Sequence, residues 1–316
     1  MNTSFKTISD KIKPEYFFWL AVLLSFSLWG SGGEAVPTPE SAGAAVAEAK
    51  TPNPFLALAL EAKAAMVYDA KTHTVLFEKD ANRPLPLASV TKVMTAATAL
   101  SLVPATTLVT VSAAAIKQEG DSGFFVGEEW VLRDLLRFML LESSNDAAYA
   151  VAERVGAAAS SEDAVAPRAF FLGAMNKRAA MLGLSQTHFE NETGLDKDTK
   201  ETGAISTAKE TALFFADALA RFPEIFTATK WEDLSLPAAN GVVRDARNTN
   251  HEVSKLPLLL ASKTGFTDLA GGNLVVAFDA DFGHPIVVVA LGSTETARFS
   301  DVEQLVWAAL RYLSGK

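Results

Sequence analysis

The sequence contains no cysteine and no excess of basic residues, and each absence excludes a class of protein. Without cysteine the chain forms no disulfide and no thiolate metal site, and it offers no cysteine nucleophile. Among its 316 residues, 28 Lys and Arg are outnumbered by 37 Asp and Glu, for a formal net charge of −9. This balance argues against a basic nucleic-acid-binding face, so we expect no nucleic-acid partner.

Several common catalytic patterns are also missing. The chain has no Gly-x-Ser-x-Gly elbow, no His-Glu-x-x-His zinc motif and no phosphate-binding Gly-x-x-x-x-Gly-Lys loop. Its four histidines follow no pattern with serine or aspartate, so we expect them at the surface or in local hydrogen bonds. We therefore expect neither a histidine-based triad nor a resident metal or organic cofactor. The histidines are His73, His188, His251 and His284.

The N-terminal region is typical of an exported protein. Three lysines between positions 6 and 13 precede the apolar run FFWLAVLLSFSLW at 17–29. A basic stretch, an apolar run and small residues together form a secretory signal, although an uncleaved anchor is the alternative. We interpret 1–33 as a signal peptide or N-terminal membrane anchor. Residues 34–54, rich in Ala, Pro and Glu, then form a flexible linker. The protein is expected in the periplasm or on the outer face of the cytoplasmic membrane.

Residues 55–316 show no long linker and no repeat, which predicts one compact domain. Apolar segments at 64–69 and 74–78 predict strands near the start of this domain, and one at 108–111 predicts a further short strand. Similar segments at 258–262, 274–278 and 286–291 predict strands near its end. Helical spacing dominates the intervening region. This order predicts an α+β fold, in which an antiparallel sheet of N- and C-terminal strands is flanked by helices, with an all-helical region. The predicted helices cover 89–101, 131–141, 146–155, 168–182, 207–220 and 301–313.

Three short motifs occur in a meaningful order along the chain. Ser89-Val90-Thr91-Lys92 is a Ser-x-x-Lys, Ser143-Ser144-Asn145 is a Ser-x-Asn, and Lys263-Thr264-Gly265 is a Lys-Thr-Gly. A second Ser-x-x-Lys runs from Ser206 to Lys209, but it lies after the Ser-x-Asn. We interpret that second match as a helix start, with Thr207 and Glu210 forming a capping box. Only Ser89 therefore precedes the other two motifs.

The spacing of the first motif suits nucleophilic catalysis. Residues three apart on a helix share a face, so the Lys92 amine can reach the Ser89 hydroxyl. A neutral lysine can take the serine proton, provided that burial or a nearby cation lowers its pKa. Lys263 is our candidate for that cation. Taken alone, Ser89 would be better explained as a helix N-cap that follows a Pro-rich turn.

The residues around these motifs resemble a known family. RPLPLASVTKVMTA, LLESSNDAAYA and KTGFTDLAGGNLV are similar to blocks of the serine-type D-Ala-D-Ala carboxypeptidases, the low-molecular-weight penicillin-binding proteins. So are MNKRAAMLGLSQTHFENETGLD and NTNHEV, in the same order. The resemblance covers roughly 60–310 and implies the β-lactamase/D,D-peptidase-like fold. It also implies peptidoglycan stem peptides ending in D-Ala-D-Ala as substrates, and β-lactams as covalent inhibitors.

The resemblance further implies a role for each matching residue. Ser89 would be the acylated nucleophile, Lys92 its general base, and Ser143 the donor of a proton to the leaving amine. Asn145 would hold Lys92 and the substrate backbone. The remaining substrate-binding positions would be Lys263 and Thr264 for the terminal carboxylate, Gly265 for close approach, Phe266 for the oxyanion hole and Thr267 for a further carboxylate contact.

Three alternatives stay open at this point. An endopeptidase of the same family would use the same acylation chemistry. A serine β-lactamase would need a carboxylate for deacylation, for which Glu190 and Glu192 are the candidates. A non-catalytic envelope protein would bind muropeptides without hydrolysis. Many family members carry more chain after the catalytic unit, whereas this sequence ends about 50 residues after Gly265. We therefore expect any membrane attachment to be N-terminal.

Overall fold

The computed structural model describes residues 53–160 and 166–315. The predicted signal or anchor (1–33) and nearly all of the predicted linker lie outside the described residues. Within the described part, an antiparallel sheet and a group of helices confirm the predicted α+β class. No helix in 53–160 or 166–315 combines the length and apolar character that a membrane crossing needs.

The main sheet has five antiparallel strands in the order β10-β11-β12-β1-β2. Strand β1 pairs with β12 from Ala64 opposite Leu291 to Asp69 opposite Ile286, which joins the two ends of the domain as predicted. The central strands are apolar at almost every position because both faces of the sheet are covered. The strands of this sheet are β1 (Ala64–Asp69), β2 (Thr74–Lys79), β10 (Leu259–Thr267), β11 (Gly271–Asp279) and β12 (Pro285–Ser293).

Helices pack against the sheet from both sides. Side chains of a strand alternate between faces, so Val67 joins a core with one C-terminal helix while Met66 joins a second, larger core with the other helices. Helix α1 is buried from Thr91 to Ala99, and its apolar side chains belong to the larger core. The helices are α1 (Thr91–Leu102), α2 (Leu132–Glu142), α3 (Asn145–Ala159), α4 (Pro167–Met181), α5 (Ala208–Arg221), α6 (Pro223–Phe226) and α7 (Ala297–Ser314).

The observed strands differ from the predicted ones in two respects. Strand β10 runs to Thr267, further than the predicted 258–262, because its polar motif residues are buried by neighbouring elements rather than exposed. Short strands were not predicted where the residues are mainly charged or too few to show a period. They are β3 (Leu85–Pro86), β5 (Glu129–Val131), β6 (His188–Phe189), β7 (Ala204–Ser206), β8 (Asp233–Pro237) and β9 (Val243–Arg247); the predicted short strand β4 is Leu108–Thr110.

Candidate active site

The fold brings the three sequence motifs to one place. Ser89 lies in a 3-10 turn that leads into α1, and Ser143 lies between α2 and α3. Lys263 lies on β10, which is an edge strand of the main sheet. The second Ser-x-x-Lys is separate from them, since Thr207 caps α5 by accepting from the backbone N–H of Glu210 at 3.0 Å. The cap by Thr207 is confirmed. The reciprocal half of the capping box is not formed, because the Glu210 carboxylate accepts instead from the Gln186 backbone N–H and the Thr187 hydroxyl.

The Ser89 hydroxyl faces Lys92 and does not cap a helix. The Lys92 Nζ lies 2.8 Å from Ser89 Oγ, and the residue at the N-cap of α1 is Val90, with no side-chain cap. The N-cap alternative for Ser89 is therefore wrong. Ala88, directly before it, has φ of 47°, a left-handed conformation that is costly for a non-glycine residue and is typical of functional sites.

Lys92 is fully buried and surrounded by neutral acceptors. Besides Ser89, its Nζ donates to Asn145 Oδ1 at 2.7 Å and to the carbonyl of Thr193 at 2.9 Å. Burial lowers the pKa of Lys92 to about 7, against an opposing effect of Glu192. The sequence left burial and a nearby cation, with Lys263 as the candidate, as possible causes. Burial is the cause that lowers this pKa, and Lys263 is not among the contributing charges. A lysine in this state supplies a neutral amine near neutral pH.

Lys263 is a second buried lysine that meets a second serine. Its Nζ lies 2.8 Å from Ser143 Oγ and 2.9 Å from the carbonyl of Thr264. Burial lowers its pKa well below the usual range, and the positive charges of Lys92 and Arg298 lower it further. Because the two lysines repel each other when both are protonated, the site favours fewer than two ammonium groups until an anion binds.

The second motif ends α2 and begins α3. Ser143 has a φ of 58° at the C-cap of α2, and Ser144 caps α3 by accepting from the backbone N–H of Ala147 at 3.1 Å. Asn145 is the first residue of α3. Its Oδ1 meets Lys92 while its Nδ2 donates to the carbonyl of Glu119 at 2.7 Å. One N–H of the amide group therefore stays available for a substrate carbonyl.

The edge strand lies directly against the turn that carries Ser89. A Cβ added to Gly265 would lie 2.8 Å from the carbonyl of Leu87 and 3.2 Å from the Ser89 nitrogen. Glycine is therefore needed for the strand to approach the turn, rather than only to leave room for substrate. Phe266 is 44% exposed, and a cleft of about 410 Å³ adjoins it and Thr267.

Comparison with known proteins identifies the family. The family model for D-alanyl-D-alanine carboxypeptidases matches residues 47–295. The chain belongs to this family. It is 32% identical over 257 residues to D-alanyl-D-alanine carboxypeptidase DacF of Bacillus subtilis, covering 79% of this chain but only 62% of that protein. It is 28% identical over 277 residues to a D-alanyl-D-alanine endopeptidase of Pseudomonas aeruginosa, covering 84% of both chains.

A solved structure in the same group shares the fold. A penicillin-binding protein of Listeria monocytogenes, in its ampicillin-bound form, superimposes with a TM-score of 0.64 at 29% identity, over 79% of this chain and 98% of that one. The predicted D,D-peptidase-like fold is therefore confirmed. The domain boundaries and the roles assigned to individual residues stay predictions.

Four groups at the site were missed by the sequence analysis. The Thr193 carbonyl belongs to a family block, and Gly194 beside it has φ of 79° and packs so tightly that a Cβ would clash with Ala88. Thr249, also in a family block, meets the Thr264 hydroxyl at 2.5 Å. Arg298 of α7 donates to the carbonyl of Gly265 at 2.8 Å, and Glu119 holds Asn145. The last two follow no motif and only the fold reveals them.

Thr267 has a local partner of its own. Its hydroxyl oxygen accepts from the backbone N–H of Ala270 at 3.2 Å, in the turn between β10 and β11. This hydrogen bond is enough to explain why a threonine ends the strand, with no need for a bound ligand. The further carboxylate contact implied for Thr267 stays a prediction.

The glutamates considered for β-lactamase chemistry are held elsewhere. Glu192 is 2% exposed, and its carboxylate is engaged by Arg168 at 2.8 Å. Glu190 is exposed and pairs with His188 and Lys197. Neither carboxylate is hydrogen-bonded to Ser89 or Lys92.

Local hydrogen bonds also explain most of the histidines. His188 bonds to Glu190, His73 to the Tyr68 hydroxyl at 2.9 Å, and His284 to Asp69 at 2.8 Å. The local role predicted for these three histidines is confirmed, and none of these partners belongs to the three motifs.

Proposed function

We propose that this protein is a serine D,D-peptidase that cleaves peptidoglycan stem peptides ending in D-Ala-D-Ala through a Ser89 acyl-enzyme. The observation that carries the proposal is the 2.8 Å contact between Ser89 Oγ and the buried Lys92 Nζ, whose pKa is lowered to about 7. A hydroxyl becomes an effective nucleophile when an adjacent base accepts its proton. Membership of the carboxypeptidase family supplies the substrate class.

In the proposed acylation, Ser89 Oγ attacks the carbonyl carbon of the peptide bond between the two D-Ala residues. The serine proton passes to neutral Lys92 as the new C–O bond forms. Negative charge develops on the carbonyl oxygen, which the backbone N–H groups of Ser89 and Phe266 are proposed to stabilise. The close packing of Gly265 on the Ser89 turn supports this pairing of N–H groups.

The leaving D-Ala needs a proton as its C–N bond breaks. Ser143 is suited to donate it and to recover one from Lys263, which lies 2.8 Å away. Across the step Ser89 and Lys263 each lose one proton, while the leaving amine and Lys92 each gain one, so the protons balance. Water then attacks the ester and gives up one proton, which Ser143 is proposed to pass back to Lys263. Lys92 returns its own proton to Ser89 Oγ as the ester bond breaks, so that both lysines regain their starting states.

The terminal carboxylate of the substrate is proposed to bind at Lys263 and Thr264. In the free site burial disfavours a proton on Lys263, and the positive charges of Lys92 and Arg298 add to this effect. A bound carboxylate reverses this balance and favours the ammonium form of Lys263. Substrate binding thereby supplies the acid for the leaving group.

Endopeptidase activity is the second candidate, favoured by the Pseudomonas aeruginosa relative, which covers 84% of both chains. Both reactions share the acyl-enzyme and differ in the amine that leaves. Incubation with a pentapeptide monomer and with a cross-linked dimer, followed by chromatography of the products, distinguishes them. If D-Ala is released from the monomer and the dimer stays intact, the enzyme is a carboxypeptidase. If the dimer is converted to monomers, it is an endopeptidase.

β-Lactamase activity and non-catalytic binding receive less support. Arg168 holds Glu192 in an ion pair, which argues against a free carboxylate poised over the acyl ester. All three motifs are intact and hydrogen-bonded to one another, an arrangement that simple binding does not require. Rapid hydrolysis of a chromogenic cephalosporin would favour the first alternative, and muropeptide binding without turnover the second.

Export to the periplasm or the outer face of the cytoplasmic membrane is also part of the proposal. Its support is the basic stretch and apolar run at 1–33, and the attachment is proposed to be N-terminal if that segment is retained. The full chain with a C-terminal epitope should be digested by protease added to spheroplasts. A chain lacking 1–33 should stay protected inside the cell. Equal protection of both would contradict export.

The first experiment on activity is intact mass of the full chain before and after incubation with benzylpenicillin, beside Ser89→Ala. We expect one adduct with the mass of the opened lactam, absent from the variant. An adduct that persists for minutes supports the peptidase, and one that disappears rapidly supports a β-lactamase. No adduct and no D-Ala release in folded protein would overturn the proposal.

A further inference from the structure

The segment 119–123 lies beside the Ser-x-Asn motif, where α3 begins. It is hydrogen-bonded to three consecutive residues there, Ser144, Asn145 and Asp146. Glu119 accepts at its carbonyl from Asn145 Nδ2 at 2.7 Å. Ser122 donates from its hydroxyl to Ser144 Oγ at 2.7 Å, and from its backbone N–H to Asp146 Oδ2 at 3.3 Å. Side chains of the segment and side chains of the motif region therefore both contribute to the hydrogen bonds that hold the two together.

The Glu119 carbonyl decides which end of the Asn145 amide faces Lys92. A carbonyl can only accept a hydrogen bond, so Asn145 must present Nδ2 to Glu119 and Oδ1 to Lys92. The reversed amide would place two N–H donors against the Lys92 amine and a carbonyl oxygen against another carbonyl. Loss of the Glu119 contact would thus free the amide to turn away from Lys92.

Asp146 is an unusual residue for this position on stability grounds alone. It is 2% exposed, and its Oδ1 has no hydrogen-bond partner within the described residues. Burial raises the pKa of its carboxyl, with Asp121 of the segment adding to the effect. A half-satisfied buried carboxylate costs free energy, and such local conflicts are expected where function requires the residue.

The conformation of the segment explains why it needs external support. Gly120 and Gly123 have φ of 87° and 71°, so two of its five residues are in the left-handed region. Asp121 Oδ1 accepts from the backbone N–H of Gly123 at 2.7 Å. Glycines widen the range of conformations open to a loop. The bonds made by Ser122 therefore select the one conformation that places the Glu119 carbonyl on Asn145.

We propose that Ser122 and Asp146 are positioning residues for the acylation step, holding 119–123 so that Asn145 keeps its Oδ1 on Lys92. This inference rests on the proposed function, since it assigns a role in acylation of Ser89. Neither residue is proposed to touch the substrate. Their effect passes through the Glu119 carbonyl and the Asn145 amide.

The proposal predicts a change in pH dependence that a purely structural role would not cause. An acceptor on the Lys92 amine stabilises its protonated form, so losing Asn145 Oδ1 lowers the pKa of Lys92. The acid limb of the acylation rate then moves to lower pH. The other charged groups facing Lys92 are Lys263 of β10 and Glu192, which is paired with Arg168 of α4. All of them stay unchanged in the variants below.

The experiment measures the second-order rate of acylation of the full chain by a fluorescent penicillin across the pH range in which Lys92 titrates. Ser122→Ala and Asp146→Ala remove the contacts, while Ser122→Thr and Asp146→Asn keep a hydroxyl and an acceptor. We expect the first two to lower the plateau rate about three- to tenfold, the loss of about one hydrogen bond, and to move the acid limb to lower pH. Ser122→Thr and Asp146→Asn should keep most of the wild-type acylation rate.

Ser112→Ala is the matched control. The Ser112 hydroxyl accepts from the backbone N–H of Ala115 at 3.1 Å, in the connection that precedes 119–123, and this hydroxyl is not hydrogen-bonded to a residue of the three motifs. Its variant should acylate at the wild-type rate, and thermal unfolding should identify any variant that is misfolded. The inference would be overturned if Ser122→Ala and Asp146→Ala fold correctly and show the same plateau rate and the same acid limb as the wild type. Absence of acylation in the wild type would instead overturn the proposed function.

Discussion

The site contains two buried lysines that each meet a serine hydroxyl at 2.8 Å, yet their surroundings suit them to different roles. Lys92 is on a helix, bonded to neutral oxygen acceptors and opposed by the negative charge of Glu192. Lys263 is on an edge strand, in a region made more positive by Lys92 and Arg298. The first environment suits a base and the second an anion-binding acid. Residue type alone does not assign the role, because the neighbouring charges decide it.

Removing the Lys92 amine should have the largest effect. We expect Lys92→Met to lower the acylation rate by at least about 1000-fold, because Ser89 loses the base that takes its proton. Penicillin adduct formation followed by intact mass measures this. Lys209→Met is the matched control, since it changes the exposed lysine of the second Ser-x-x-Lys. Similar losses in both variants would contradict a specific role for Lys92.

Removing the Lys263 charge should matter only when the substrate carries a terminal carboxylate. We expect Lys263→Gln to lower kcat/KM for a D-Ala-D-Ala peptide by about 100-fold, through the lost charged hydrogen bond and the lost proton for Ser143. A peptide amidated at its terminus should already react slowly in the wild type and lose much less in the variant. Equal losses for both peptides would show that Lys263 does not recognise the carboxylate.

Gly194 tests the loop that brings the Thr193 carbonyl to Lys92. A Cβ at Gly194 would lie 1.9 Å from the carbonyl of Ala88, at a φ of 79°. We therefore expect Gly194→Ala to lower the free energy of unfolding by about 2–4 kcal/mol and to slow acylation. Gly173 of α4 is the matched control, because it is exposed and a Cβ added there would have no neighbouring atom within 4 Å. Gly173→Ala should therefore leave the free energy of unfolding unchanged or slightly higher, as measured by denaturant unfolding. A loss in Gly173→Ala as large as the loss in Gly194→Ala would contradict the packing argument.

Changing the charge that opposes burial at Lys92 should have the smallest effect. With the pKa of Lys92 near 7, the acylation rate should rise as pH rises through that value, because only the neutral amine accepts the Ser89 proton. Glu192 raises this pKa, so Glu192→Gln should move the acid limb to lower pH by a few tenths of a unit. Exposed Glu190 provides the control, since Glu190→Gln should leave the limb in place. A shift to higher pH in Glu192→Gln would be inconsistent with the assignment.

Much of the fold followed from local patterns. Strand β1 was predicted at its observed bounds because a turn follows a continuous apolar run, and the large helices were predicted to within a few residues because their apolar periodicity is strong. Strand β10 was predicted too short because Lys263 and Thr264 do not resemble buried strand residues. The hairpin β8–β9 was missed, since its alternating charged residues carry little apolar signal.

The sequence by itself determined the contact between Ser89 and Lys92, because residues three apart at the start of a helix lie on one face whatever surrounds them. It also determined the family, through ordered motifs and the blocks around them. Only the tertiary structure decided that the pKa of Lys92 is lowered to about 7, since desolvation depends on everything packed around the amine. The same holds for the contacts of Lys263 with Ser143, Arg298 with Gly265, and Glu119 with Asn145. These join elements far apart in the chain, and local propensity carries no information about such pairs.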